Sequence, residues 1–489
     1  MGYGIANYHD VEIIYKQLGA LMRLPALAIR RDAMDRYIRC FDEKCGKSKE
    51  VISEAKQFIP GGVQHNLAFN YPFPLVIDRA EGPYLYDLDG NRYIDFLQAG
   101  GPTILGSNPP SVRDQVIHLL NRTGPSTGLF HQFELSLAKE IRRHMPAVEM
   151  FRMLGSGTEA VMAALRVARL ATRKSKIVKI GGAYHGWSDQ MVYSLKIPGT
   201  RRFEAHGIPR SSTRHTTEAK PNDLASLERV LAMNRLRGGT AAVILEPIGP
   251  ESGTRPVAAD YNREARRLCD KYGALLIFDE VVSGFRVGLG GAQGFFGVRP
   301  DLTIFGKIVA GGFPGAGGLG GRSDLLKLLA AGIESGKRRA YCGGTLAATP
   351  LSAAAGYFTI QEIERTGACE AAGRAGDRLT EGLKRQIARR GLPFVAYNQG
   401  SICHLETAAG MFVELNLLRI LKVLKEIKQR KQVMEEFGAA FTAEGIITLA
   451  GSRLYTSAAD TDDVIDDALG RFDRVFAHVE TKTEKEGEA

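Results

Sequence analysis

Between residues 115 and 345 the chain alternates compact apolar runs with amphipathic stretches. This alternation constrains the fold more than any other feature. The runs are KIVKI (176–180), TAAVILEP (240–247), GALLIFDEV (273–281) and DLTIFG (301–306). They are rich in Ile, Val, Leu and Phe without period-two alternation, as expected of strands covered on both faces. Stretches such as ELSLAKEIRRHM (134–145) and TEAVMAALRVARLAT (158–172) carry apolar residues at helical spacing. Strand and helix in turn predict an α/β fold with a mostly parallel sheet flanked by helices. Open sheets of this kind place ligands beyond the carboxyl ends of their strands.

The flanking segments read differently. Residues 1–60 are expected to form an N-terminal helical extension that serves packing or oligomerisation. Ile14, Leu18, Leu21 and Met22 lead into Leu27, Met34, Ile38 and Phe41, and Pro60-Gly61-Gly62 ends the pattern. Residues 61–115 are read as the first part of a small domain, with YLYDLDGNRYIDF (84–96) as two strands about an Asp89-Gly90 turn. Residues 116–350 make the large domain. Residues 351–489 make a C-terminal α+β part, with long helices followed by the strands FVAYNQGSICHLE, EGIITLAG and RLYTSAA and a closing helix.

Of 489 residues, 44% are hydrophobic and 24% charged, which excludes a disordered chain or a collagen-like repeat. The net charge of +10 is spread along the chain, so anionic small molecules suit it as well as nucleic acid does. The densest basic run, Lys422 to Lys431, is interleaved with apolar residues and Glu426 and reads as a solvated helix face. Six scattered cysteines without a C-x-x-C pair predict reduced thiols, no metal cluster and a cytoplasmic setting. No apolar run reaches the ~18 residues of a membrane span, and MGYGIANYHD lacks the pattern of a secretory signal.

Four features fall at predicted strand ends. Gly155-Ser156-Gly157-Thr158-Glu159-Ala160 opens a helical run and fits a phosphate cradle or an ordinary capped helix. Tyr184-His185-Gly186-Trp187 follows KIVKI, so Tyr184 either lies on a planar heteroaromatic ligand or fills the core. Asp279 closes an apolar strand and needs a cationic partner, a pyridinium nitrogen or a structural arginine. Lys307 ends DLTIFG and opens the glycine-rich IVAGGFPGAGGLGG, which reads as a loop. It is either a surface lysine or a desolvated amine able to form a Schiff base.

In this order and spacing, GSGTEA, YHG, EP, FDEV, the strand-end Gly306-Lys307 and Gly343-Gly344-Thr345 resemble the class III aminotransferases. These are pyridoxal-phosphate enzymes of fold type I, with a large domain built on a seven-stranded-type sheet and a smaller α+β domain. The nearest branch holds glutamate-1-semialdehyde aminomutase and β-amino-acid aminotransferases. The resemblance implies Lys307 as the lysine that carries pyridoxal 5'-phosphate as an internal aldimine. It implies Asp279 at the pyridinium nitrogen, Tyr184 and Val281 on the ring faces, and Ser156, Gly157 and Thr158 on the phosphate. His185 and Glu246 fall in the matched motifs and join this cofactor set. Thr345 is implied to reach over from a neighbouring subunit, which makes the enzyme a homodimer with shared sites.

Two departures bear on substrate. No arginine follows Pro60-Gly61-Gly62, where Gln64, His65 and Ala68 stand, and the EP motif continues as IGPES with Glu251. The expected donors are therefore amines or β- or ω-amino compounds, with an apolar pocket near Leu67, Phe69 and Tyr71. Arg286 and Arg453 are the candidate cations for a keto-acid acceptor. The alternative is a 2,1-aminomutase that moves an amine within one substrate, with residues 193–212 as a lid.

Overall fold

A computed structural model describes residues 8–68, 70–332, 338–413 and 420–480. In chain order the strands are β1 (Ile77–Glu81), β2 (Tyr84–Asp87), β3 (Arg92–Asp95), β4 (Met150–Leu154), β5 (Lys176–Ile180), β6 (Thr216–Ala219) and β7 (Thr240–Leu245). They continue as β8 (Leu275–Asp279), β9 (Leu302–Gly306), β10 (Gly317–Gly321), β11 (Val395–Gln399), β12 (Ile402–Glu406), β13 (Ile446–Ile447) and β14 (Arg453–Tyr455). The chain divides into two compact units, one holding residues 110–370 and the other 9–109 with 371 onward.

The first unit is built on a seven-stranded sheet in the order β4-β10-β9-β8-β7-β5-β6. β10 runs antiparallel to both neighbours, and the pairs from β9 through β6 are parallel. Alternate residues of each central strand go to opposite cores. Ile177, Ala242, Ile244, Ile277 and Ile304 pack with Ala160, Val161, Ala164 and Leu165 of the helix Gly157–Thr172. Val178, Val243, Leu245, Leu276 and Phe278 pack with Leu227 and Leu231 of one helix and Ala265 and Leu268 of another. Both faces are apolar because both are covered, which is why the sequence shows continuous runs.

Two expectations shift. The boundary placed at 350 lies at 370, since the helix Pro350–Thr366 packs on Pro110–Thr123 and Gln132–His144 of the large unit. The glycine-rich run read as a loop contains β10. A Cβ at Gly318 would collide with the Phe151 ring and one at Gly320 with Val148, so these two positions take only glycine, while Leu319 between them packs in the core.

The second unit has a four-stranded sheet, β1-β2-β3-β13, and a three-stranded one, β11-β12-β14. Gly90 supplies the positive φ of the turn between β2 and β3. The N-terminal helices belong to this unit's core: Ile14, Leu18 and Leu21 pack with Val395, Tyr397 and Phe412. Ala33, Met34 and Phe41 join Val433, Phe437 and Phe441. Arg430, read as part of a solvated face, is buried instead. It donates to Glu426 at 2.9 Å, Ala408 O at 2.7 Å, Met22 O at 3.0 Å and Leu24 O at 2.9 Å, closing the end of the first helix.

Candidate active site

The parallel register brings the carboxyl ends of β5, β7, β8 and β9 to one edge of the sheet, with the end of β4 beside them across β10. Asp279 ends β8 opposite Ile304 of β9, and Lys307 follows three residues after Ile304. The carboxylate and the amine therefore sit at neighbouring strand ends. Lys307 adopts a left-handed backbone, φ 52, which costs a non-glycine residue about 1–2 kcal/mol. The strand is broken sharply at its lysine.

At the end of β4 the chain enters the 16-residue helix Gly157–Thr172 with Ser156 as its N-cap. Ser156 Oγ accepts from Glu159 N at 3.3 Å, and the Glu159 carboxylate accepts from Gly155 N at 2.9 Å. Val281, two residues beyond β8, wedges between this helix start and β9. A Cβ on Gly157 would stand 3.0 Å from it, and one on Gly306 2.8 Å. A Cβ on Gly186 would run into Thr158, so the loop after β5 lies on the same helix end.

Asp279 is buried, and its Oδ2 lies 2.7 Å from His185 Nδ1 while its Oδ1 accepts from Val281 N at 3.1 Å. Burial lowers the pKa of His185, so the ring is neutral at pH 7 and its Nδ1 proton points at the carboxylate. Its Nε2 is buried without a hydrogen bond. Tyr184 is half-exposed, with its backbone N–H on Glu246 Oε1 at 2.9 Å.

Glu246 has a different place from the one expected. Oε1 also accepts from Glu251 N at 2.7 Å, and Oε2 takes Ser252 N and, at 3.0 Å, Ser252 Oγ. The carboxylate is spent on holding the Tyr184 backbone and the 251–252 turn. Burial first, and Asp279 second, push its pKa up to about 7. Glu280 points away from this set, accepting from Ser283 Oγ, Ala292 N and Gln293 N.

Arg286 is 0% exposed, so its guanidinium is not open to a carboxylate that enters and leaves. Arg453 (9% exposed) and the exposed Tyr71 and Leu67 lie in the other unit, and Phe69 is outside the described residues. Thr345 lies in the exposed stretch 343–346. A further cluster, Glu140, His144 and Glu364, has metal-ligating composition, but Arg143 ion-pairs with both carboxylates.

The aminotransferase class-III family profile matches residues 67–475. The chain belongs to the class-III aminotransferases. Similar structures include an omega-transaminase from Sphaerobacter thermophilus, 25% identical, with TM-score 0.78 over 90% of this chain and 99% of that one. A beta-phenylalanine aminotransferase from Variovorax paradoxus is 26% identical, with TM-score 0.77 over 91% and 97%. A glutamate-1-semialdehyde aminomutase from Pseudomonas aeruginosa shares the fold at 21% identity, with TM-score 0.77 over 95% and 99%. The fold is that of the pyridoxal-phosphate enzymes of type I, and the family works with pyridoxal phosphate. The side chains present fit that group: a long helix start for the phosphate, a buried carboxylate for the ring cation and a strand-end amine.

Proposed function

We propose that this aminotransferase passes an amino group, in two half-reactions, from an amine or a β- or ω-amino compound to a keto acid or aldehyde. The observation that carries the reading is the placement of Asp279 and Lys307 at adjacent strand ends, on the sheet edge that also presents the helix start at Ser156. Pyridoxal phosphate, when bound, takes up the amino group and accommodates the electron pair left at the substrate carbon. The N–H groups of Gly157 and Thr158 with the Ser156 hydroxyl bind the phosphate. Asp279 binds the ring nitrogen and keeps its proton there, while His185 orients the carboxylate through Nδ1. Tyr184 and Val281 cover the ring faces and exclude water. Lys307 Nζ would carry the proton from the substrate carbon to the cofactor carbon in the first half-reaction and in the reverse direction in the second.

Thr345 completes the phosphate site from a second copy of the chain. Exposed Leu129, Phe130, Tyr341 and Leu346 in the same unit support a homodimer, since large apolar side chains in such number favour coverage. The six cysteines are free, which supports a reducing, cytoplasmic setting. No helix among the described residues is long and apolar enough to cross a membrane.

The test is spectroscopic. The absorbance of the bound cofactor should bleach with a β- or ω-amino donor and return with a keto acid. Response to α-amino acids alone would overturn the donor class. Full turnover of one compound with no acceptor would instead favour the aminomutase alternative, which the more distant aminomutase likeness supports less well.

A further inference from the structure

The second lysine of KIVKI stands inside the protein. Lys179, on β5, is completely buried and touches no carboxylate directly. Its Nζ donates to Ala183 O at 2.9 Å, Met191 O at 3.3 Å and Tyr193 O at 2.7 Å. These carbonyls bracket residues 184–190, the segment that presents Tyr184 and His185. An ammonium has three N–H groups, and all three are used.

We propose that Lys179 is a positioning residue: its ammonium ties both ends of the Tyr184–His185 loop to β5 and so fixes the ring-covering tyrosine and the Asp279 partner. Glu246 holds the same loop at one backbone N–H, whereas Lys179 gathers three carbonyls spread over eleven residues. The titratable groups facing it come from several elements. Glu218 is its register partner on β6, Glu246 follows β7, Glu204 and Glu251 lie on loops, and His185 is on the clamped loop itself.

Burial lowers the lysine pKa to about 8, with the four glutamates opposing the shift. A neutral amine has two N–H groups, so one carbonyl loses its donor above that pH and the loop loosens. Global stability moves the other way. A buried amine whose folded pKa lies below its unfolded value gains stability as pH rises from about 8 to about 10.5. A looser loop without a lower melting temperature is the signature.

Trp187, the single tryptophan, sits on the clamped loop and is 75% exposed, so its emission reports the loop. The activity readout rests on the aminotransferase reading; the fluorescence readout does not. In the holoenzyme, Trp187 emission and kcat/KM should change together with a midpoint near pH 8, while the melting temperature does not fall. Lys179→Arg, which does not titrate, should lose that midpoint. Lys179→Met should show the alkaline emission at every pH and a kcat/KM at pH 7 lower by roughly tenfold or more. A Lys179→Met protein with parent emission and parent kcat/KM would overturn the proposal. So would a midpoint near 8 that persists in Lys179→Arg, which decides the matter if the methionine variant does not fold. A Lys179-dependent emission change in a protein with no aminotransferase activity would keep the clamp and reject the reading it was joined to.

Discussion

Buried charge is handled in two ways in this protein. In the helical region around Arg430, every guanidinium nitrogen has an acceptor, and the side chain closes the end of a helix. At the sheet edge of the other unit, polar groups are buried with capacity left over. His185 Nε2 has no hydrogen bond, and Asp279 meets one imidazole and one backbone N–H. A saturated buried ion stabilises a fold; an incompletely saturated one is held ready for a ligand, at a cost in stability.

If that difference is real, variants at the edge should change rate and leave melting temperature nearly untouched, and Arg430 should do the reverse. The largest effect is expected for Lys307→Ala, which removes the proton-moving amine. Half-reaction kinetics should show no turnover, with cofactor still held non-covalently. Activity within tenfold of the parent, a gap of only ~1.4 kcal/mol, would mean that another lysine acts. Next is Asp279→Asn, which leaves the ring nitrogen without its counter-charge. It should slow proton abstraction about 10²-fold, roughly 3 kcal/mol, and a near-parent rate would dissolve the pairing.

Arg430→Met tests the other side of the comparison. It strands the carbonyls of Met22, Leu24 and Ala408, so chemical denaturation should show a loss of about 2 kcal/mol with kcat unchanged. A stable variant with impaired turnover would erase the distinction between the two regions. The smallest change is expected for Tyr184→Leu, which keeps the backbone N–H on Glu246 but loses the aromatic face. Cofactor affinity should fall about tenfold at most, in line with ~1 kcal/mol for a ring contact, as read by equilibrium titration.

The candidate site was legible to an unequal degree. Asp279 and Lys307 stood out because a charge ending an apolar strand is costly and therefore conspicuous, and the structure puts them at the ends of neighbouring strands. Glu246 and Arg286 looked equally telling as residue types, yet one is consumed by its own loop and the other is enclosed. Lys179 went unread because a lysine inside an apolar strand looks the same whether it is solvated or buried. What separates the cases is where the carbonyls of residues 183, 191 and 193 come to lie, and they belong to a loop with no periodicity.

The sequence alone determined the sheet, since near-continuous apolar runs of strand length separated by amphipathic helices can bury both faces in only one kind of layer. It also determined which strand ends carry charge and where the long helix begins at Ser156. Tertiary structure decided the rest. GGLGG became a strand by pairing with β4 and β9, and Phe151 and Val148 occupy the space that side chains at 318 and 320 would need, a constraint visible only once β4 lies beside it. Residues 9–60 became part of the small unit's core because Leu18, Leu21 and Met34 find their partners in segments hundreds of residues away. Periodicity fixes which face of an element is apolar; only packing chooses what covers it.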